Sequence, residues 1–223
     1  MKLGTMARKV LFVFTSNDRL VNTSTKTGWY LPEAAHPFYA FRKQGIKVDF
    51  VSEKGGRPPL DQSSVHATKG DTISEMDPEV QKMLEEAPAL STVKLPASQY
   101  GAVFYPGGQG PLIGLPTNTA SQDLIHTFYE DGRVVSAVCH PPAVLTEVKL
   151  QDGSGSYLVD ARRVTSMSNR EEEAWGRVPY VPFLVQDRLK ERGGMYVEGE
   201  HLWGDRSCRR RQGPSGSQAC DRC

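Results

Sequence analysis

The sequence predicts an α/β fold with a mainly parallel central sheet and helices on both faces. Two observations carry this expectation: short apolar β-type runs recur along the 223 residues, and segments of helix length separate them. Runs that are apolar nearly throughout read as strands covered on both faces. Their alternation with helices makes right-handed βαβ units and a parallel sheet.

The elements follow in order. Lys9–Phe14 is the first strand, Ile46–Val51 the second, Ala102–Tyr105 the third and Arg133–Val138 the fourth, with Val164–Met167 a further short one. A helix over Glu33–Gln44 carries Pro37 near its first turn and stops at Gly45. Asp77-Pro78 opens a helix through Glu86, with acids near its positive end. Asn118–Tyr129 is a third helix, closed by Asp131-Gly132, and a fourth is expected directly after Cys139. Pro182–Arg192 is another, stopped by Gly193-Gly194. Gly55–Gly70 and Pro106–Pro111 read as glycine-bearing loops.

Composition narrows the function. Lys+Arg 27 against Asp+Glu 26 leaves a net charge of +1, so the general electrostatic case for nucleic acid or membrane binding is absent. No apolar run approaches the roughly 20 residues that a bilayer span needs, and the short polar start before Val10 does not make a secretory leader. Four cysteines are too few for a disulfide scaffold, and Cys208, Cys220 and Cys223 crowd the end of the chain. The default is a soluble, reduced, cytoplasmic protein. His36, His66, His126 and His201 have no metal-like spacing, so no metal site is expected. Residues 1–204 read as one domain. Residues 205–223 form an Arg/Cys/Ser/Gly-rich tail with no Val, Ile, Leu or Phe, and read as disordered.

The chemistry concentrates where the fourth strand runs into Cys139-His140. A residue there sits on a sharp turn above the C-terminal edge of the sheet, as in a nucleophile elbow, where open α/β sheets place ligands. A helix mouth beside a thiol favours thiolate, the reactive form. A lone cysteine is more often a buried structural residue; the adjoining histidine and the strand–Cys–His–helix context reverse that preference. The loop containing Gly107, Gly108 and Gln109 ends the neighbouring strand, and its free N–H groups are candidates for binding substrate and stabilising an oxyanion. Glu33 opens the helix after the first strand, on the same edge, where a carboxyl can carry a proton; the plainer reading is a solvent-facing acid. Glu171, Glu172 and Glu173 follow Asn169, an expected N-cap. Such a run is usually a solvated first turn, although one of the three would be able to orient His140.

Together these pieces resemble the ThiJ/PfpI superfamily, within the class I glutamine amidotransferase-like fold, and most nearly its fungal glyoxalase III and heat-shock chaperone-like branch. The resemblance runs from about Lys9 to about Trp203. It includes Thr27-Gly28 with Glu33 and His36-Pro37, Val51-Ser52 with Gly55 and Asp61, Pro106 to Gly110, Ala137 to His140, Val164-Thr165 with Asn169 and Glu171, and Val181 to Phe183. It implies a flavodoxin-like sandwich, a homodimer, and a cofactor-free, glutathione-independent lyase that converts the small 2-oxoaldehyde methylglyoxal to lactate. By position it implies Cys139 as nucleophile, His140 as its base, Glu171 as the acid orienting the histidine and Glu33 as the carboxyl contacting the thiol. Gly108 and the Cys139–His140 amides are then the oxyanion donors.

This chain departs from the pattern in three places. Pro141 stands where the family has glycine and disfavours α geometry at His140. Gln109 stands where the family has histidine, and it donates a hydrogen bond without carrying a proton. The family closes with a strand and a helix, for which residues 205–223 have no apolar pattern. Other readings are a stress holdase for unfolded-protein clients with Cys139 as redox sensor, a cysteine amidase or peptidase, an inactive family member, and a binding module without catalysis.

Overall fold

The computed structural model describes residues 9–71 and 77–204. The tail with its three cysteines, and the chain start, lie outside the described residues.

Four strands, β1 (Lys9–Phe14), β2 (Val48–Ser52), β3 (Tyr100–Tyr105) and β4 (Val134–Ala137), form one parallel sheet in the order β2-β1-β3-β4. Phe12 pairs with Phe50 on one side and Phe104 on the other, and Tyr105 pairs with Ala137. Successive residues point to opposite faces, so β1 divides its apolar side chains between two cores. Val10, Phe12 and Phe14 pack with Ala34, Ala35 and Phe38 of α1 (Leu31–Lys43). Val80 and Leu84 of α3 (Pro78–Glu85) join the same layer. Leu11 and Val13 face the opposite layer, with Leu124, Ile125 and Phe128 of α4 (Thr119–Glu130) and Val185 and Leu189 of α6 (Val185–Glu191). The sheet is thus covered on both faces by helices, as the sequence predicts.

The helix ends follow the side chains that satisfy their free N–H groups. Asp77 accepts from the Val80 amide and Asn118 from the Ser121 amide. Gly45, at φ 70°, closes α1. Pro37 lies inside α1, two residues further in than expected, because the helix begins at Leu31; it removes the helical donor to the Glu33 carbonyl.

Several expectations are corrected. The Gly55–Gly70 stretch contains a short helix, α2 (Gln62–Ala67), capped by Asp61. The strand expected at Val164–Met167 is only β5 (Arg163–Val164); it leaves the main sheet and pairs in parallel with β6 (Met195–Tyr196). α5 (Asn169–Ala174) is capped by Ser168 rather than Asn169. β4 is not covered on both faces: as an edge strand it leaves Val134 58% exposed. No α-helix follows Cys139; Pro141–Leu145 is a 3-10 turn, its first two residues being prolines without N–H groups. Among the described residues no helix is long and apolar enough to cross a membrane.

Candidate active site

The connections leaving β1, β3 and β4 meet at the C-terminal edge of the sheet. Strand order reverses there, β1 leading outward to β2 on one side and β3 lying on the other, which opens a crevice. Cys139 closes the last of these connections. Its φ of 67° is left-handed, a conformation that costs a side-chain-bearing residue energy and marks sites where geometry is held by function. The turn is pinned by the Met167 N–H, which donates to the Cys139 carbonyl at 2.8 Å. His140 next to it is in the right-handed helical region, at φ −82° and ψ −33°. That is the region disfavoured before proline, so Pro141 leaves the elbow intact but adds to its strain.

From this turn Cys139 Sγ lies 3.2 Å from His140 Nδ1. The imidazole is wholly buried, and its Nε2 lies 2.6 Å from Glu172 Oε2. The other oxygen, Oε1, accepts from Gln109 Nε2 at 2.7 Å. Four side chains from three connections thus form one chain: Gln109, Glu172, His140, Cys139. Glu172 accepts from Nε2, so Nε2 carries hydrogen and Nδ1 is left to accept from the thiol.

The acid facing the histidine is therefore Glu172, and the expectation for Glu171 is corrected. Glu171 is three residues after Ser168, and the two close a capping box. Its Oε2 accepts from the Ser168 amide and hydroxyl, and its Oε1 from the Trp203 amide at 2.9 Å. Ser-x-x-Glu was the available signal: it commits Glu171 to the cap and leaves the next residue, about 100° round the helix, for the site.

Gln109 is corrected as well. It is 2% exposed and its amide is directed to Glu172 rather than outward, so it is not an oxyanion donor. The Gly108 N–H and the His140 N–H do lie against the sulfur. Gly107 and Gly108 are required by close approach. A Cβ on Gly107 would overlap the Glu33 carboxylate and meet Cys139 Cβ at 2.9 Å. Gly108 sits at φ 109°, with Trp29 Cα 3.0 Å from where its Cβ would be.

Glu33, in the first turn of α1, faces the thiol. Its Oε2 is buried with no hydrogen-bond partner among the described residues. Burial raises its pKa to about 7, although His140 and Cys139 both pull it down. Burial, then the charge of Glu33, pushes the Cys139 thiol well above its ordinary value; the Gly108 and His140 N–H groups offset part of this. The expected standing thiolate is thus contradicted, because burial and the charge of Glu33 outweigh the two N–H groups; nor does an α-helix open beside the sulfur. Tyr30, whose pKa is raised by burial and by Glu33 and Cys139, and Trp175, with its ring 6.3 Å from that of His140, are neighbours the sequence did not single out. Among the described residues no three His, Cys, Asp or Glu side chains gather to hold a metal ion.

Known proteins share this arrangement of the chain. Residues 25–174 match the DJ-1/PfpI family. The glutathione-independent glyoxalase HSP31 of Saccharomyces cerevisiae is 31% identical, over 90% of this chain and 87% of that protein. Among solved structures, the rapid encystment protein of 24 kDa from Francisella tularensis has a TM-score of 0.82 at 30% identity, covering 92% of this chain and 88% of that one. Glyoxalase III of Candida albicans has a TM-score of 0.77 at 28% identity, covering 91% and 87%. With more than half its length matched, and the strand-to-elbow geometry in place, the chain belongs to the DJ-1/PfpI family.

Proposed function

We propose that this protein is a glutathione-independent glyoxalase that converts methylglyoxal and related small 2-oxoaldehydes to 2-hydroxy acids on Cys139. One observation carries the reading: a strained cysteine stands between two proton-transfer groups, His140 Nδ1 at 3.2 Å and the buried, partnerless Oε2 of Glu33. The likeness to curated glyoxalases of two fungi supports it.

The chemistry follows from the positions. The thiol is not ionised in advance, so His140 Nδ1 takes its proton as sulfur bonds to the aldehyde carbon. The aldehyde oxygen receives a proton and a hemithioacetal results. While negative, that oxygen is held by the Gly108 and His140 N–H groups, which need no reorganisation. A base then removes the hydrogen on the former aldehyde carbon while the ketone oxygen takes up a proton, giving an enediol; a proton returns to the neighbouring carbon as the hydroxyl on the sulfur-bearing carbon gives one up. The product is a thioester of lactate. Water adds to its carbonyl, the carbon–sulfur bond breaks, and lactate leaves with the thiol restored. The net change is addition of one water, with no external oxidant or reductant. Glu33 suits the central transfer, because a carboxyl held near 7 both takes and gives a proton at neutral pH.

Purified full-length protein is expected to form lactate from methylglyoxal without glutathione, and Cys139→Ala to form none above the uncatalysed rate. Equal rates in the two would remove the assignment.

A further inference from the structure

We propose that Gln109 is a positioning residue: it holds Glu172 so that His140 presents a bare Nδ1 to Cys139. Its kinetic consequence rests on the glyoxalase reading; its consequence for the imidazole does not.

Glu172 is a buried carboxylate with one N–H on each oxygen, His140 on Oε2 and Gln109 on Oε1. Gln109 reaches it across 63 sequence positions from a loop tied by backbone hydrogen bonds on both sides. On one side the Tyr30 N–H donates to the Gly107 carbonyl at 2.8 Å, and on the other the Gly110 N–H donates to the Gly28 carbonyl at 3.1 Å. A hydrogen bond from a fixed donor to a buried carboxylate is charge-assisted and directional. It sets the plane of the carboxylate and thereby the oxygen that meets Nε2.

The amide matters chemically as well. It donates a hydrogen bond but does not surrender its proton, so Glu172 remains an acceptor and Nε2 keeps its hydrogen. Without the amide, one buried oxygen is bare. The carboxylate is then free to turn, and Nε2 loses the fixed acceptor that holds its hydrogen there rather than on Nδ1. A hydrogen on Nδ1 would point at the sulfur, which removes the base. The titratable groups facing this pair are Cys139 from the elbow and Glu33 from α1; Glu171 is turned to Ser168 and Trp203.

The test is nitrogen–proton NMR of the His140 ring in the full chain, beside steady-state kinetics. Wild type is expected to show hydrogen on Nε2 alone. Gln109→Met, matched in length but without a donor, is expected to show a mixture of tautomers. It should lose kcat by about 10–100-fold, as when an outer hydrogen-bond partner of a functional imidazole is removed, with KM little changed. Gln109→Asn, which withdraws the amide by one methylene, should show the same mixture if Gln109→Met proves too unstable to measure. Gln109→His, which returns an N–H to the same place, should restore the single tautomer and recover kcat. A pure Nε2–H spectrum in both Gln109→Met and Gln109→Asn would overturn the proposal, as would a Gln109→His protein as defective as Gln109→Met. If wild type makes no lactate, the glyoxalase reading fails, and the spectra still decide the role of Gln109.

Discussion

At the scale of residues, the site is governed by a conflict between Cys139 and Glu33. Both are acids and both are desolvated; the charge of Glu33 opposes ionisation of Cys139, whereas Cys139 favours the ionised form of Glu33 and only burial holds that carboxyl up. Their nearness is made possible by Gly107, which has no Cβ to separate them. The arrangement bears on stability. Glu33 is raised from 4.5 to about 7 in the folded chain, so between those values the folded state holds a proton the unfolded state has lost. Stability therefore falls as pH rises through that window, by on the order of 3 kcal/mol, and the loss is complete above it. Glu33→Gln removes the buried charge. It is expected to melt several degrees above wild type at pH 8, at about 2–4 °C for each kcal/mol, and to melt alongside it at pH 4.5. Melting curves with a constant gap across that range would refute this origin of the shift. Cys139, His140 and Glu33 were legible because each stands at an element junction that sequence pattern marks. The high pKa of the thiol was not legible, since desolvation depends on what packs around it.

At the scale of elements, two local rules decide what the site contains. The first is the capping box. Ser168 and Glu171 satisfy one another's donors, which fixes the rotation of α5 and turns Glu172 inward. Glu171→Ala is expected to cost about 1 kcal/mol, a typical cap loss, and to lower Tm by about 2–4 °C while turnover persists. Glu172→Gln is expected to melt normally but to lose kcat by about 10³-fold or more, as when a buried carboxylate no longer fixes the tautomer of its histidine. The reverse pattern, with Glu171 essential and Glu172 dispensable, would restore the positional expectation. The second rule is proline chemistry. Pro141 and Pro142 deny two N–H groups to the segment after the elbow, which becomes a five-residue 3-10 turn. The sequence contained both prolines, and their consequence for the helix dipole is visible once the turn is seen to be so short.

At the scale of the whole molecule, one sheet separates two cores, and the site rests on the edge where both end. Phe12 is fully buried, with ring centroids 4.8 Å from Phe104 and 5.7 Å from Phe50. Leu124, 1% exposed, plays the corresponding part on the other face. Phe12→Ala is expected to cost about 3–5 kcal/mol and Leu124→Ala about 2–5 kcal/mol, a large share of a typical stability of about 5–15 kcal/mol. Because the sheet keeps the two cavities apart, the losses should add in the double variant. Urea unfolding would show this as additive shifts of the midpoint with unchanged slope. A marked departure from additivity would mean that the two layers form one core.

The sequence by itself determined the strands of the main sheet, the layers on its two faces and the Cys-His junction at its edge. Apolar periodicity, caps and turn residues act over a few positions, and that range was enough. Only the tertiary structure decided that β4 is an edge strand, that Glu172 rather than Glu171 meets the imidazole, and that Gln109 braces it across 63 positions. Those outcomes turn on helix rotation, loop placement and desolvation, all set by packing between segments distant in the chain.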